Sequence, residues 1–421
     1  MKKNIIAIAM IIFICLFYCP LMAQQEKVDS NPTGIENTYS KILVCSNAFE
    51  ALGKIADPKA KGILTEGLKS KDFFIRGRAT EALGRLQDKE TVPLLKTLVN
   101  DENYFVAVLA TAALAKLGEQ DMKESLFNFL NHKDPQVRAT AIEQLGDFKL
   151  DELKDKFLPQ LVKILSQDSN YVVREKAIAE LGRNRFGPAV SLVRQALKDE
   201  NAQVRRAACR VITTISDKQE TTLLKERLSD KDISVRAQAK ESLGFLGEKS
   251  LLKSFWKEVE DKEPILRLSS CMALAELNDI NILPNLLKEI VNPQNSTFAR
   301  TEAARALTKL KPHISDLVAK ALSKSKTDIL SLENLEVSYK INGKSLGLIL
   351  TEALKDKNNP LHNDAPSIIS QLQERVYLAA LREALFDSDP NMVASAACVL
   401  GALRDKDAVD ELIKVCEKYG F

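Results

Sequence analysis

Residues 72–84 read DFFIRGRATEALG, and the same pattern returns in segments 134–146, 170–182 and 232–244. Each segment begins with Asp or Asn, carries Arg at its fifth position and Ala at its eighth, and ends in Leu-Gly. A unit that recurs in this way predicts a repeat array instead of a single globular core. The length of 421 residues agrees, because it is large for one compact domain.

The position of Arg76, called the arginine slot below, gives the register of the whole array. Slots fall at positions 45, 76, 107, 138, 174, 205, 236, 267, 300, 331, 362 and 393, and nine of the eleven intervals equal the one from 76 to 107. Apolar or small residues at offsets −1, +3, +7 and +10 lie on one helical face. A capping side chain stands at offset −4 in ten of the twelve units. The pattern predicts one amphipathic helix per unit, called helix B.

The other half of each unit carries its own apolar pair, such as Leu95 and Leu98, and predicts a second helix, called helix A. The first helix, about 37–55, is a helix B with no helix A before it. The last helix, 407–419, is a helix A with no helix B after it. Twelve layers at about 8 to 10 Å predict an elongated body on the order of 100 Å.

Two features interrupt the regular spacing. Five extra residues near Phe148 to Pro159 and two near Asn292 to Ser296 are expected to lengthen surface loops. Between about 308 and 375 the unit is degenerate: Ser331 and His362 replace the slot arginine, and Ser338 replaces the apolar residue at +7. We expect a weak joint there.

These motifs resemble the HEAT-like repeats of bacterial α-solenoids, the type also found in phycobilisome lyases. The resemblance covers about residues 41–419 and implies an all-α right-handed superhelix of about twelve HEAT-like helix pairs, with helices B lining its concave surface. It also implies that the slot arginines form a structural ladder, each bonding to carboxylates or backbone carbonyls of neighbouring units. The ladder would comprise Arg76, Arg138, Arg174, Arg205, Arg236, Arg267 and Arg300. Ala107 and Val393 depart from it.

The N-terminus has the layout of a secretory signal peptide. Lys2 and Lys3 precede an apolar run over 5–18, and Ala23 precedes polar glutamines. The predicted division is a signal peptide over 1–23, cleaved after Ala23, a flexible linker over 24–36 and the solenoid over 37–421. We therefore expect an exported protein, periplasmic or secreted. Lipidation at Cys19 is disfavoured because bulky Tyr18 precedes it, and we expect no membrane span in the mature chain.

Charge disfavours nucleic acid as a partner. Removing Lys2 and Lys3 from the 60 basic residues leaves 58 against 57 acidic ones, so the mature chain is nearly neutral. Five cysteines remain after cleavage, at scattered positions. Cys209 and Cys271 occupy the same offset two units apart and are interpreted as buried small hydrophobes. Whether Cys398 and Cys416, in consecutive helices, form a disulfide is left open.

The sequence gives no catalytic residue, metal ligand or cofactor site. The three histidines His132, His313 and His362 are far apart, and none has a carboxylate directly beside it in the sequence. No serine elbow or phosphate-cradling glycine loop is present. The interpretation is therefore a non-enzymatic protein.

A partner surface is predicted on the side of helix B opposite its buried stripe, at offsets +1 and +5. The residues proposed to bind a protein or peptide there are Val108, Leu109, Ala112, Arg206, Arg210, Leu268, Met272 and Arg305. The apolar members would anchor the partner, and the arginines would bind acidic side chains. A second candidate is the edge carrying Phe73, Phe74, Tyr104, Phe105 and Tyr171.

The functional prediction is a protein–protein interaction scaffold of the cell envelope or extracellular space. The alternatives are an envelope protein that binds glycan or lipid, and a HEAT-type lyase enzyme. The first would need a closed apolar pocket, and the second would be expected in the cytosol. The sequence does not identify the partner, the oligomeric state or the curvature of the solenoid.

Overall fold

The computed structural model describes residues 32–148, 150–183, 190–215, 221–322 and 346–420. Within these ranges the chain is all-α. Its 22 α-helices there alternate between B helices, which take odd numbers here, and A helices, which take even numbers.

The first half of the chain forms the following helices: α1 (Pro32–Ile55), α2 (Lys61–Gly67), α3 (Phe73–Leu86), α4 (Val92–Leu98), α5 (Tyr104–Lys116), α6 (Gln120–Asn128), α7 (Pro135–Gly146), α8 (Leu150–Gln167), α9 (Tyr171–Arg183), α10 (Val190–Ala196) and α11 (Ala202–Ile215). The second half forms α12 (Thr221–Arg227), α13 (Ile233–Phe245), α14 (Leu252–Glu258), α15 (Pro264–Glu276), α16 (Leu283–Val291), α17 (Thr297–Leu322), α18 (Leu346–Lys355), α19 (Ala365–Leu372), α20 (Leu378–Ala384), α21 (Pro390–Ala402) and α22 (Val409–Tyr419). Short 3₁₀ turns precede many of the A helices.

Several B helices begin where the capping residue at offset −4 predicts. The Asp72 carboxylate accepts hydrogen bonds from the backbone N–H groups of Phe74 and Ile75, and Asp134, Asp232 and Asp389 cap α7, α13 and α21 in the same way. Such caps satisfy N–H groups that have no partner inside the helix. The offset of −4 is thus a helix-start signal in the regular units, whereas α19 begins only at Ala365, three residues after slot 362.

The B helices are packed side by side through a repeated contact between glycine and alanine. Gly53 of α1 lies against Ala82 of α3, and Gly84 of α3 lies against Ala113 of α5; a Cβ added to either glycine would come within 2.7 Å of that alanine. The absence of a side chain lets the two helix backbones approach closely. Each glycine stands eight residues after its slot, and each alanine stands six after the next slot.

The same contact joins the last B helix to the first. A Cβ on Gly401 of α21 would come within 2.5 Å of the Cα of Ala51 in α1. Helix α1 therefore packs between α3 and α21, and the B helices close into a ring. The elongated body predicted from the layer count is wrong, because accumulated curvature brings the two ends of the array together.

The two incomplete units at the chain ends form one complete repeat. Helix α22, the unpaired A helix, packs on α1, the unpaired B helix. Lys59 Nζ lies 3.2 Å from Asp410 Oδ1, and the Cys45 thiol lies 3.3 Å from the carbonyl oxygen of Gly420. The contacts of α1 with α21 and α22 are called the closure interface below.

The degenerate stretch also differs from the regular array. Helices α17 and α19 pack directly against each other, so no described B helix lies between them. The slot at Ser331, with Asn334 and Ser338, lies outside the described residues. The repeat number of twelve and the right-handed sense of the array remain predictions.

Two smaller expectations need correction. Residues 32–36 were assigned to the linker but belong to α1, since Pro32 occupies the first helical position, where its missing N–H costs nothing. The five residues inserted near Pro159 extend α8 to 18 residues instead of lengthening a loop. The predicted signal peptide, with Cys19 and the cleavage site at Ala23, lies outside the described residues, as does the linker over 24–31. In the described chain no helix has the length and apolar character needed to span a membrane.

Candidate interaction surface

The slot arginines lie inside the repeats. Arg205 donates through Nε and Nη2 to both carboxylate oxygens of Asp230, at 2.9 and 2.8 Å, and through Nη1 to the carbonyl oxygens of Asp199 and Glu200. Its side chain and that of Asp230 are each 5% exposed. One guanidinium thus joins the turn before its own B helix to the next turn along the ring.

The same two-sided arrangement recurs at Arg76 with Asp101, Arg138 with Asp168, and Arg174 with Asp199. Arg236 donates to the carbonyl oxygens of Asp230 and Lys231, and Arg267 binds Glu289 and the carbonyl oxygen of Asp261. The acceptor aspartates were not singled out from the sequence. A signal was present, since Asp101, Asp199 and Asp230 stand at one and the same offset from slots 76, 174 and 205.

In the degenerate units, other residue pairs replace the contact between the slot arginine and an aspartate. Arg300 donates to the carbonyl oxygen of Asn292 and forms an ion pair with Asp364, just before α19. His362 is buried before the same helix, with Nδ1 2.8 Å from the carbonyl oxygen of Ala353 and Nε2 3.8 Å from Asp387. Asp387 has the same offset from slot 362 that Asp230 has from slot 205.

The apolar members of the predicted partner surface are buried. Val108, Leu109 and Ala112 on α5 are at most 3% exposed. The neighbouring Gly77 has no side chain, and a Cβ there would come within 3.2 Å of Leu109 and 2.6 Å of Phe105. Leu109 therefore packs into the α3–α5 interface and is not displayed to solvent.

Leu268 and Met272 on α15 are also buried, at 3% and 2% exposed. Arg305 of α17 donates to both carboxylate oxygens of Glu241 of α13 at 3.0 Å, although α15 lies between these helices. Curvature brings the +5 positions of alternate repeats together on the inside of the ring. Burial alone would lower the pKa of Arg305, but Glu241 and Glu302 outweigh it and hold that pKa above its usual range. The prediction that these apolar side chains are exposed is therefore wrong, and Arg305 already has partners within the chain.

Arg206 and Arg210 differ from the rest of the predicted set. Arg206 is half-buried and Arg210 is exposed, both on α11. Neither forms an ion pair with any residue in the described ranges, whereas charged residues of other B helices are paired: Glu50 with Lys54, Glu81 with Arg85, and Glu276 with Lys309. Of the eight predicted residues, these two remain accessible cations.

The rim where the B helices begin carries aromatic side chains. Phe74 stacks on Phe105 with ring centroids 6.1 Å apart, and Tyr104 packs on His132 at 4.4 Å. Tyr104 and Tyr171 are exposed. A cavity of about 220 Å³ lies between α5 and α7, lined in part by Tyr104, Phe105, Gln136 and Thr140.

The cysteine thiols that could act as nucleophiles are mostly buried in the helix packing. Burial raises the pKa of the Cys45, Cys209 and Cys271 thiols to about 12, which leaves little nucleophilic thiolate at neutral pH. The described ranges contain no group of three His, Cys, Asp or Glu residues suited to a metal ion. All five described cysteines are free thiols in this structure.

Comparison with known families agrees with the repeat geometry. A model of HEAT repeats matches residues 42–114, 93–182 and 158–244, and a model of the PBS lyase HEAT-like repeat matches residues 393–418. Together these matches cover the first half of the array and its last repeat. The chain belongs to the HEAT-repeat proteins.

Several solved structures are similar to this chain at low identity. The Escherichia coli protein YibA is 22% identical, over 68% of this chain and 99% of its own, with a TM-score of 0.41. The complex of CpcE and CpcF of phycocyanin lyase from Nostoc is 22% identical, over 53% of this chain and 92% of that chain, with a TM-score of 0.34. Yeast importin-β is 14% identical, over 90% of this chain and 64% of that chain, with a TM-score of 0.40. A comparison with curated proteins gave no match.

Proposed function

We propose that this protein is a non-enzymatic interaction scaffold of the cell envelope or extracellular space. It binds an acidic segment of a protein or peptide on the inner helix B face of the ring. The observation that carries the proposal is the pair Arg206 and Arg210, two accessible guanidinium groups that pair with no carboxylate among the described residues. Guanidinium groups form paired hydrogen bonds to carboxylates, and such bonds are stronger than neutral ones.

The arrangement of the two arginines supports an extended acidic ligand. They stand four residues apart on α11, so their side chains leave the same face one helical turn apart. Two acidic side chains of one partner segment would meet both. The accessibility of these residues matters, because a paired arginine such as Arg305 would have to give up Glu241 before binding a ligand.

The test compares two double variants in affinity capture from a native envelope extract, with quantitative mass spectrometry. Arg206→Ala/Arg210→Ala should reduce recovery of the specific partner roughly tenfold or more, since each lost charged hydrogen bond is worth about 1.5 to 3 kcal/mol. Lys253→Ala/Lys257→Ala is the matched control: it removes two exposed cations with the same spacing from α14, an A helix. Equal recovery of every bound protein by both variants would contradict the proposal.

The acidic character of the ligand is tested separately with the purified ring. Fluorescence anisotropy with labelled oligoglutamate should give binding that weakens with salt and is lost in Arg206→Ala/Arg210→Ala. Labelled oligolysine is the charge-reversed control. Preference for oligolysine, or binding that the double variant retains, would overturn the assignment to these arginines.

Export is supported by the N-terminal sequence alone and is tested at the protein level. Expression of the full chain should give a mature protein whose first residue is Gln24, found outside the cytoplasm. N-terminal sequencing of the purified protein reports the cleavage site. Recovery of an intact chain starting at Met1 in the cytosol would contradict the proposed location.

A further inference from the structure

The closure interface brings together two cysteines from opposite ends of the chain. Cys45 lies on α1 and Cys416 on α22, and both side chains are fully buried. The Cys45 thiol donates to the carbonyl oxygen of Gly420 at 3.3 Å, and the Gly420 N–H donates to the carbonyl oxygen of Cys416 at 2.9 Å. Cys416 is therefore within one helical turn, about 5.4 Å along the axis, of the group that Cys45 contacts.

The repeat register explains why Cys45 occupies this position. It stands in the arginine slot of α1. In the regular units the slot arginine donates to carbonyl oxygens of the turn between helix A and helix B, as Arg205 does to Asp199 and Glu200. Helix α1 has no such turn before it, because its A helix is α22 at the other end of the chain. The thiol makes the corresponding contact, with the carbonyl at the end of α22.

The side chain of Cys398 points away from Cys45 and Cys416. It stands at offset +5 on α21, and the charged groups that act on it are Glu50, Lys54 and Arg78 on the inside of the ring. Cys209 and Cys271 are buried in separate repeats. Burial raises the pKa of Cys416 well above its usual value, and Cys45 adds to that effect, as expected for two neighbouring thiols.

We propose that Cys45 and Cys416 form a disulfide that covalently closes the ring. The proposal rests on export to an oxidising compartment, where such bonds persist. Each thiol loses one hydrogen, and the two electrons reduce the disulfide of a thiol–disulfide oxidoreductase to a dithiol. A mixed disulfide forms first on one cysteine, and the thiolate of the other then displaces the oxidoreductase.

The bond forms while the interface is still open. In the closed ring both thiols are buried and stay protonated at neutral pH, so they exchange slowly. During folding, before α22 docks on α1, both are accessible. After docking, the same burial protects the disulfide from reductants. The link ties the first helix of the array to the last.

The experiment refolds the reduced mature chain in a glutathione redox buffer and alkylates it after denaturation. The proposal expects a protein two hydrogen masses lighter, three alkylated cysteines instead of five, and a linked peptide pair containing Cys45 and Cys416. Five alkylated cysteines, or a linked pair that contains Cys398, would overturn it. This readout uses the wild-type chain, so it does not depend on the folding of any variant.

Two variants test the effect on stability. The melting temperature of the oxidised wild type should exceed that of wild type reduced with dithiothreitol in denaturant and refolded in its presence, and Cys45→Ala should show no such response to the reductant. Cys209→Ala, which removes a buried thiol from a regular repeat, should keep the response. A response retained by Cys45→Ala would overturn the proposal. Because no partner is needed, failure here leaves the proposed ligand site at Arg206 and Arg210 untouched.

Discussion

A guanidinium in the arginine slot donates to backbone carbonyl oxygens of the turn between helix A and helix B. Without it, these carbonyls would be buried with no hydrogen-bond donor. Arg205 forms four hydrogen bonds, and its charged acceptor is Asp230, which belongs to the next unit. The buried pair therefore couples neighbouring repeats. Removing the guanidinium alone leaves the buried Asp230 carboxylate with only the more distant Arg227, whose Nη1 lies 3.9 Å away, and this costs more than the pair itself contributes.

Arg205→Ala should lower the free energy of unfolding by about 3 to 5 kcal/mol, because Asp230 and two turn carbonyls lose the hydrogen bonds from the guanidinium. Thermal unfolding followed by circular dichroism measures the change. Arg206→Ala, at the next residue and accessible to solvent, should change it by less than about 0.5 kcal/mol. Similar losses in the two variants would show that the slot is not a structural position.

Glu180 should make stability depend on pH. It is 2% exposed, and burial raises its pKa to about 7, although Arg183 acts in the opposite direction. The folded state therefore binds an extra proton between about pH 4.5 and 7, so stability falls as pH rises through this window. The shift corresponds to about 3 kcal/mol at most.

The measurement is the melting temperature of Glu180→Gln and wild type at pH 4.5 and pH 8. The variant should be the more stable of the two at pH 8 and should match wild type at pH 4.5. Glu175→Gln, on the same helix and half-exposed, is the control and should follow wild type at both values. If Glu180→Gln melts lower than wild type at pH 8, the ionised carboxylate is stabilising and the assignment is wrong.

At the level of the helix, spacing between B helices depends on glycines placed eight residues after the slot. Gly53, Gly84, Gly244 and Gly401 all lie against an alanine of the following B helix. The interface between α21 and α1 therefore uses the same contact as the α1–α3, α3–α5 and α13–α15 interfaces. A side chain at such a glycine would push against backbone, which cannot rotate away.

Gly401→Ala should destabilise the protein by about 1 to 3 kcal/mol through overpacking against Ala51, and should loosen the closure interface. Gly62→Ala is the matched control, because a Cβ at Gly62 meets nothing within 4 Å. That control should be neutral or slightly stabilising, since alanine favours the helix. Hydrogen exchange of α1 reports the interface directly, and unchanged protection in Gly401→Ala would contradict the prediction.

At the level of the whole molecule, the array ends where it begins. The A helix missing at the N-terminus is supplied by α22 from the C-terminus, so both ends of the hydrophobic core are covered. Repeat arrays with open ends need special capping units with a polar outer face. Here closure takes the place of caps, and the inner B face is enclosed by the ring, with Arg206 and Arg210 on it.

Spin labels at Lys59→Cys and Asp410→Cys test the closure in solution. The two native side chains are 3.2 Å apart, so paired labels should show strong dipolar broadening in electron paramagnetic resonance. The experiment uses a Cys398→Ala background because Cys398 is part-exposed, and the other four described thiols are buried and should remain unlabelled. Spectra equal to the sum of the two singly labelled proteins would instead indicate an open array on the order of 100 Å long.

The repeat, the helix caps and the helix pairs could be predicted from local residue spacing. These features depend on residues within one or two turns of each other, such as Asp72 with Phe74, and so the sequence alone determined the HEAT-repeat class. The burial of Leu109, Leu268 and Met272 could not be predicted in this way. It depends on the angle between successive repeats, a small quantity that accumulates over the packed B helices. Only the tertiary structure decided that the chain ends meet, that Cys45 lies beside α22, and that Arg206 and Arg210 stay accessible, because these facts follow from curvature and not from periodicity.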